Sequence, residues 1–480
     1  MKRGIRRTIE GRYAGVGCKG ETMNDSWTKP INSGEVPNDG SSFDVIVVGG
    51  GPGGAAAAAY AAMQGDNVLL LERAVYPRDK TCGDAVGGKS LKHVEELGVK
   101  PLIESTPHNR VTGIVFSSAN GQQIHCSLPE EEIENKEAGY ALPRIQFDYM
   151  MFSRANDLVL ENDGAVIQDF MVTNVDVVGE GNSQKIVGVT GIIGGKRSKN
   201  EPLTFTAPLT IGAGGYTCPV AKTVIETCHD EPMRDDLHYC GAYREYWVDV
   251  GGCEGGKIPI EIHFIKEVIP GYWWIFPVGV NGEGKTVVNV GIGMVINEMN
   301  KKSVKLKKLQ KWVIEEHPVF SERFKNATMI KGSGKGHQLP FGSPRKDAPS
   351  FQPRRSAMAG AICVGDAASL VDGFSGEGIG NALVSSKIAI SLFDKEKHAD
   401  GLPTEIADAY MQELWETLGP ELTNSFKMQK MVRKTWLMNW VLKKANKKQA
   451  VKDMLEHSLS SKEAQEEMKS TWNLLKLLLF

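Results

Sequence analysis

The pattern of apolar and polar positions changes character along the chain. Residues 1–42 are polar, rich in Gly, Ser, Asn, Pro and charge, with neither a helical nor a strand period. Such a segment has too little apolar surface to offset the entropy of ordering, and it is expected to be disordered or loosely attached. At 43 the run FDVIVV begins, as expected of a strand buried on both faces. GGPGGAAAAAYAAMQG reads as a tight turn and then a helix closed by Gly65. NVLLLE supplies a second buried strand, so the three pieces predict the start of a βαβ unit. From about 110 to 330, strand-like alternation and the hairpin signals GGK and NGEG predict a larger antiparallel sheet. Near 362 the first pattern returns in AICVGDAA, and from about 404 to the end the period is helical, with Trp, Leu and Met opposite many lysines.

These elements predict an α/β fold. A Rossmann-type dinucleotide-binding domain is interleaved with an antiparallel-sheet substrate domain, and a helical C-terminal region follows. The expected divisions are an N-terminal extension over 1–42, the first part of the dinucleotide domain over 43–110, and a mixed segment over 111–335 holding the antiparallel sheet and further dinucleotide-domain elements. The second part of the dinucleotide domain takes 336–400, and the helical region takes 401–480.

At 480 residues the chain is long enough for two or three domains with real cores. A formal net charge of -2 argues against a nucleic-acid partner. The eight cysteines include no C-x-x-C pair, so neither zinc nor an iron–sulfur cluster is indicated. No secretory apolar region opens the chain and no apolar run reaches the roughly 18–20 residues that span a bilayer. A cytoplasmic protein with free thiols is expected, with peripheral contact to the inner face of the cell membrane as the alternative to free solution.

VVGGGPGGAA places G-x-G-x-x-G at Gly49, Gly51 and Gly54, with Gly53 inside the motif. It follows a buried strand, opens a helix and is followed by Glu72 at the end of the next strand, the context a dinucleotide fingerprint requires. Gly49 allows the turn, Gly51 lets backbone approach a pyrophosphate, Gly54 lets helix pack on sheet, and the helix N-terminus faces the phosphates. Glu72 followed by Arg73 does not separate FAD from NAD. The second half does: CVGDAASLVDGFSGEGIGNAL puts Gly365 and Asp366 after a strand, then Gly376, Gly378 and Ile379 at a glycine-rich turn into a helix. An Asp there suits a ribityl hydroxyl, and two separated halves building one site suit FAD.

These residues, together with several further stretches, resemble the geranylgeranyl reductase family of FAD-dependent oxidoreductases with the para-hydroxybenzoate hydroxylase fold, and most of all the archaeal digeranylgeranylglycerophospholipid reductases. The stretches are PRDKTCGDAVG with Lys80, Cys82 and Gly83, LPRIQFDYMM with Arg144 and Asp148, LTIGAGGYTCPVA, PGYWWIFPVG and VGDAASLVDGFSGEGI. The likeness runs over roughly 43–400. Gly214, Cys218 and Gly373 stand where the family commonly has Asp or Asn, Ser, and Pro. The resemblance implies FAD as cofactor, with Cys82, Gly83 and Arg144 beside it. It implies saturation of isolated C=C bonds in geranylgeranyl chains of an isoprenoid lipid. No second dinucleotide fingerprint is visible, so a small protein such as ferredoxin or a diffusible reductant is expected as electron donor.

PGYWWIFPVG reads either as a core strand or as the wall of a pocket for an apolar ligand. Alternation puts Tyr272, Trp274 and Phe276 on one face, with Trp273 and Ile275 on the other. The resemblance favours the pocket, with Tyr272, Trp274, Phe276, Pro277 and Gly376 as substrate contacts and Cys82, Tyr272 and Trp274 as catalytic candidates. Cys82 reads otherwise as a buried free cysteine. His125, His263 and His337 are assigned no role. In the tail, SFKMQKMVRKTWLMNWVLKKANKK and the apolar end TWNLLKLLLF read as a core-packed helix or as a surface resting on anionic lipid. The competing functions on the same fold are a flavin monooxygenase or halogenase and, last, an electron-transfer flavoprotein acting on a quinone.

Overall fold

The computed structural model describes residues 28–128, 130–134, 139–255, 258–345 and 354–447. Two sheets organise them. The first has six strands, in the spatial order Ala357–Met358, Ala361–Cys363, Leu209–Gly212, Val45–Val48, Val68–Leu71 and Ala165–Ile167. All neighbours are parallel except the Ala357–Met358 edge. Val45–Val48 is buried at every position, as a central strand covered on both faces must be. The helices Pro52–Gln64 and Ile379–Ser391 pack against each other, and Arg144–Glu161 lies against the former. Gly65 ends the Pro52–Gln64 helix in the left-handed region at φ 91°, where a residue with a Cβ is strained.

The second sheet runs in the order Thr328–Met329, Tyr239–Val248, Thr286–Val295, Gly271–Val280, Ile260–His263, Gly113–Ser117 and Gln123–Ser127, with Lys335–Pro340 also paired to Tyr239–Val248. It is antiparallel apart from the Ile260–His263/Gly113–Ser117 pair. One face carries Trp273, Ile275, Val288, Val290 and Ile292 into a core closed by the helix Leu306–Glu315. The opposite face carries Trp274 and Phe276 into a separate cluster with Tyr246, Val278 and Val287.

Two expectations on boundaries change. From residue 28 the polar N-terminal segment is anchored: Gln168 donates to Ile31 O at 3.2 Å and to Ser33 Oγ at 2.8 Å, and Ser42 bridges to Thr206. The apolar side chain of Ile31 and backbone carbonyls, not a periodic pattern, hold it. The division at 335/336 falls inside the strand Lys335–Pro340, which belongs to the second sheet because its backbone pairs with Tyr239–Arg244. Residues 1–27 and the TWNLLKLLLF end lie outside the described residues.

Candidate functional site

A cavity of about 1960 Å³ runs between the two sheets. At one end it is lined by Gly49, Gly51, Pro52, Gly53, Glu72 and Arg73, and at the other by Tyr272, Trp274 and Phe276. The first end is built for backbone approach. Gly49 sits at φ 113°, and a Cβ on it would lie 2.5 Å from Ala213 O. The helix Pro52–Gln64 starts at Gly51 with no side-chain cap, so its first N–H groups point into the cavity end lined by Gly51 and Gly53. Glu72 accepts from Gly50 N at 2.6 Å and Ala74 N at 2.8 Å, one bond to each carboxylate oxygen. Each oxygen keeps a second lone pair for a ligand hydroxyl.

The middle of the cavity is charged. Arg144 holds Asp148 through Nε at 2.5 Å and Nη2 at 2.8 Å, and Arg78 reaches the same carboxylate at 2.7 Å. Burial works against the Arg144 charge, yet the Asp148 carboxylate holds its pKa well above the ordinary value. Lys80 Nζ lies 3.2 Å from Asp366 Oδ2. Burial would raise the Asp366 pKa, but Lys80 and His337 bring it below the usual range. Gly365, Asp366, Gly376, Gly378 and Ile379 line this part, as do Cys82, Gly83 and Arg144.

At the apolar end Tyr272 and Trp274 meet edge to face with centroids 6.0 Å apart, and Trp274 and Phe276 lie 6.4 Å apart. The Tyr272 hydroxyl donates to Ser375 O. Cys82, Gly83 and Gly376 stand around these rings. The backbone-lined anion-binding end, the charged waist and the apolar end fit a cofactor with a pyrophosphate, a polar linker and a flat ring system, followed by an apolar substrate.

Residues 42–241 match the FAD binding domain family, and residues 241–334 match the geranylgeranyl reductase catalytic domain family. The chain thus joins an FAD binding domain to a geranylgeranyl reductase catalytic domain, and it is an FAD-dependent oxidoreductase. The menaquinone reductase of Mycobacterium tuberculosis (strain ATCC 25618 / H37Rv) is 27% identical to this reductase over 377 residues, 77% of this chain and 81% of that protein. The digeranylgeranylglycerophospholipid reductase of Methanosarcina acetivorans is 26% identical over 393 residues, 80% of this chain and 83% of that one. A solved structure from Thermoplasma acidophilum, described as geranylgeranyl bacteriochlorophyll reductase-like, superposes with a TM-score of 0.66 at 21% identity, covering 91% of this chain and 96% of that one. At that identity the likeness is one of fold.

The reductase brings nearly all the sequence-predicted site residues to this one cavity. Two do not line it. Gly54 packs instead: a Cβ there would fall 1.7 Å from Gly49 O, so its place is between helix and turn. Pro277 follows Phe276 in the strand and falls on the alternate face with Trp273 and Ile275. His337, to which the sequence reading assigned no role, and Asp84 line the cavity, and Asn289 lies directly behind its wall. The His337 ring is edge-on to Tyr216 at 4.9 Å. Burial, then Lys80, push the His337 pKa down to about 4, so the ring is neutral near pH 7. Asp84 and Asn289 form a buried polar network behind the aromatic wall. Asn289 Nδ2 donates to Asp84 Oδ2 and to Cys82 O, each at 2.7 Å, and its Oδ1 accepts from Trp274 Nε1 at 2.8 Å. Only Asp84 carried a signal beforehand, as a carboxylate directly after the Cys82–Gly83 pair.

Proposed function

We propose that this reductase saturates isolated C=C bonds in the geranylgeranyl chains of an archaeal-type glycerophospholipid precursor. The observation that carries the reading is the aromatic face of Gly271–Val280, which turns Tyr272, Trp274 and Phe276 into the cavity and leaves Trp273 and Ile275 in the core. An isoprenoid chain offers almost only apolar surface, so burial at about 25 cal/mol per Å² is its main handle. Rigid rings bury that surface with little loss of rotamer freedom.

In this reading Gly49, Gly51, Gly53, Glu72 and Arg73 hold the adenosine and pyrophosphate half of FAD. Arg144, Gly365, Asp366, Gly376, Gly378 and Ile379 hold the flavin half, with Cys82 and Gly83 beside it. FAD, when bound and reduced, supplies the hydride. Tyr272, Trp274 and Phe276 orient the chain and exclude water, and Tyr272 is fixed against the Ser375–Gly376 turn by its hydroxyl. Cys82 stands where the charged waist meets the apolar end, its peptide oxygen held by Asn289.

We also propose that the lipid is taken from a bilayer surface. Among the described residues, no helix is long and apolar enough to cross a membrane. The helix Thr435–Ala445 lines the cavity with Met438, Trp440 and Leu442, while Trp436 is 67% exposed and Lys434 and Lys443 are exposed on the same helix and its start. An exposed Trp among lysines suits an anionic interface.

The name of the mycobacterial relative supports a second substrate, menaquinone. An anaerobic single turnover decides between them. The flavin is reduced with dithionite, and either a geranylgeranylated glycerophospholipid or menaquinone is added. Reoxidation with a gain of two hydrogens in the phospholipid establishes the first reading. Reoxidation only with menaquinone, with two hydrogens retained in its isoprenoid tail after the ring is returned to the quinone, establishes the second, and none with either refutes both.

A further inference from the structure

The network behind the aromatic wall is more elaborate than packing requires. Asp84 is 0% exposed and sits at φ 71°, a left-handed backbone that non-glycine residues rarely adopt. Its Oδ2 accepts from Tyr246 Oη at 2.6 Å and from Asn289 Nδ2 at 2.7 Å, while Oδ1 is buried without a hydrogen-bond partner. Asn289 uses its whole carboxamide: both N–H groups donate, to Asp84 and Cys82, and the oxygen takes the Trp274 N–H. With acceptors on one side and an indole donor on the other, only one orientation of this amide satisfies its neighbours. An amide whose N–H groups donate to a carboxylate becomes a stronger acceptor at its oxygen. Polarising the indole N–H in turn enriches the ring face in electron density.

We propose that Asp84, acting through Asn289, orients Trp274 and keeps its indole electron-rich toward the substrate double bond. Asp84 is thus a positioning residue for the reaction, an inference that rests on the isoprenoid reductase reading above. Saturation adds a proton, drawn from solvent, to one carbon, and a hydride carrying both electrons, which reduced FAD would supply, to the other. A proton on the less substituted carbon leaves positive charge on the tertiary carbon until the hydride arrives. An electron-rich indole face stabilises that charge. Asp84 neither gains nor loses a proton in the step.

The relay depends on the Asp84 charge. Burial raises its pKa to about 6 against the opposing pull of Arg244, Tyr246 and Asn289, with Asp79 adding to the rise. The groups that face it are Arg244 and Tyr246 on one strand, Asn289 on the next, and Asp79 in its own loop, itself paired with Arg244 at 2.5 Å and Lys335 at 2.9 Å. Lys80, Cys82 and Arg144 line the cavity beyond.

The test uses the FAD-loaded protein and its variants Asp84→Asn, Trp274→Phe and the double variant. Tryptophan absorbance and fluorescence are followed from acid to neutral pH, and single-turnover reduction of a geranylgeranylated glycerophospholipid is measured beside them. The wild type is expected to show a tryptophan transition near pH 6 that both single variants lack. Asp84→Asn is expected to slow turnover on the order of ten- to thirtyfold, the range of a desolvated cation–π contact, with substrate affinity little changed. In the Trp274→Phe background the same substitution should do little more. If Asp84→Asn does not fold, Tyr246→Phe removes one bond from the carboxylate and should move the tryptophan transition and the rate profile together to higher pH. A transition that survives in Asp84→Asn, an unchanged rate, additive losses in the double variant, or a Tyr246→Phe profile that stays in place would overturn the relay. A wild type that leaves the lipid unreduced would refute the isoprenoid-phospholipid reading, while the tryptophan titration still decides the relay.

Discussion

Gly291 is the position where a single methyl group should disconnect fold from site. It lies opposite Trp274 in the pairing of Gly271–Val280 with Thr286–Val295. A Cβ there would sit 2.1 Å from Trp274 Cζ2 and 2.4 Å from Cε2. Its φ is not in the left-handed region, so Gly291→Ala strains no backbone and acts only through the ring. The indole must leave the strand surface. That over-packing costs about 1–3 kcal/mol. Moving the ring also breaks the 2.8 Å bond to Asn289 Oδ1, leaving a buried acceptor unpaired for about another 1–3 kcal/mol. Gly291→Ala is therefore expected to lower unfolding free energy by about 2–6 kcal/mol in urea titration. At temperatures where the variant remains folded, it should also lose most lipid turnover, because the displaced ring enters the cavity. Gly293 provides the contrast, since its Cβ would meet nothing nearer than Cys240 Sγ at 3.4 Å, so Gly293→Ala should be far milder. Equal stability and turnover in Gly291→Ala and the wild type would refute the claim that Trp274 lies flat on this glycine.

Three further outcomes follow from the geometry. Gly54→Ala puts a methyl 1.7 Å from Gly49 O, so the purified variant should carry little or no FAD by visible absorbance; full flavin content would show that the turn tolerates a wider helix approach. Glu261 is gripped by Arg323 at 2.6 and 2.7 Å and by His263 at 3.1 Å. Burial would raise its pKa, but His263 and Arg323 bring it from 4.5 down to about 2. A depressed carboxylate stabilises fully above its unfolded pKa and loses that contribution as pH falls toward about 2, here about 3 kcal/mol. Glu261→Gln should show a flatter acid-unfolding profile over that window, and an unchanged slope would refute the pairing. Trp436→Ala combined with Lys443→Glu should abolish flotation with anionic vesicles while leaving turnover of detergent-dispersed lipid intact; undiminished flotation would place the membrane surface elsewhere.

Much of this protein was legible in local pattern. A run of four buried residues at Val45–Val48, the glycine spacing after it and the αL stop at Gly65 all arise from backbone sterics over a few residues, which the sequence states directly. The alternation that separates Tyr272, Trp274 and Phe276 from Trp273 and Ile275 is likewise set by the pleat. The tertiary structure decided what these elements meet. Asn289 reaches Asp84 across 205 positions and Cys82 across 207, and that meeting depends on the register of three strands and the path of a loop. His337 enters the cavity only because its strand pairs with Tyr239–Arg244. Pro277, one residue beyond Phe276, turns away because alternation outlasts the motif. Residues 28–42 are held by bonds to Gln168, Thr204 and Thr206, partners that no period within the segment reveals. Local periodicity reports which face of an element is apolar. Which other face closes over it is fixed by long-range pairing, whose loop-closure cost and reward are spread over the whole chain.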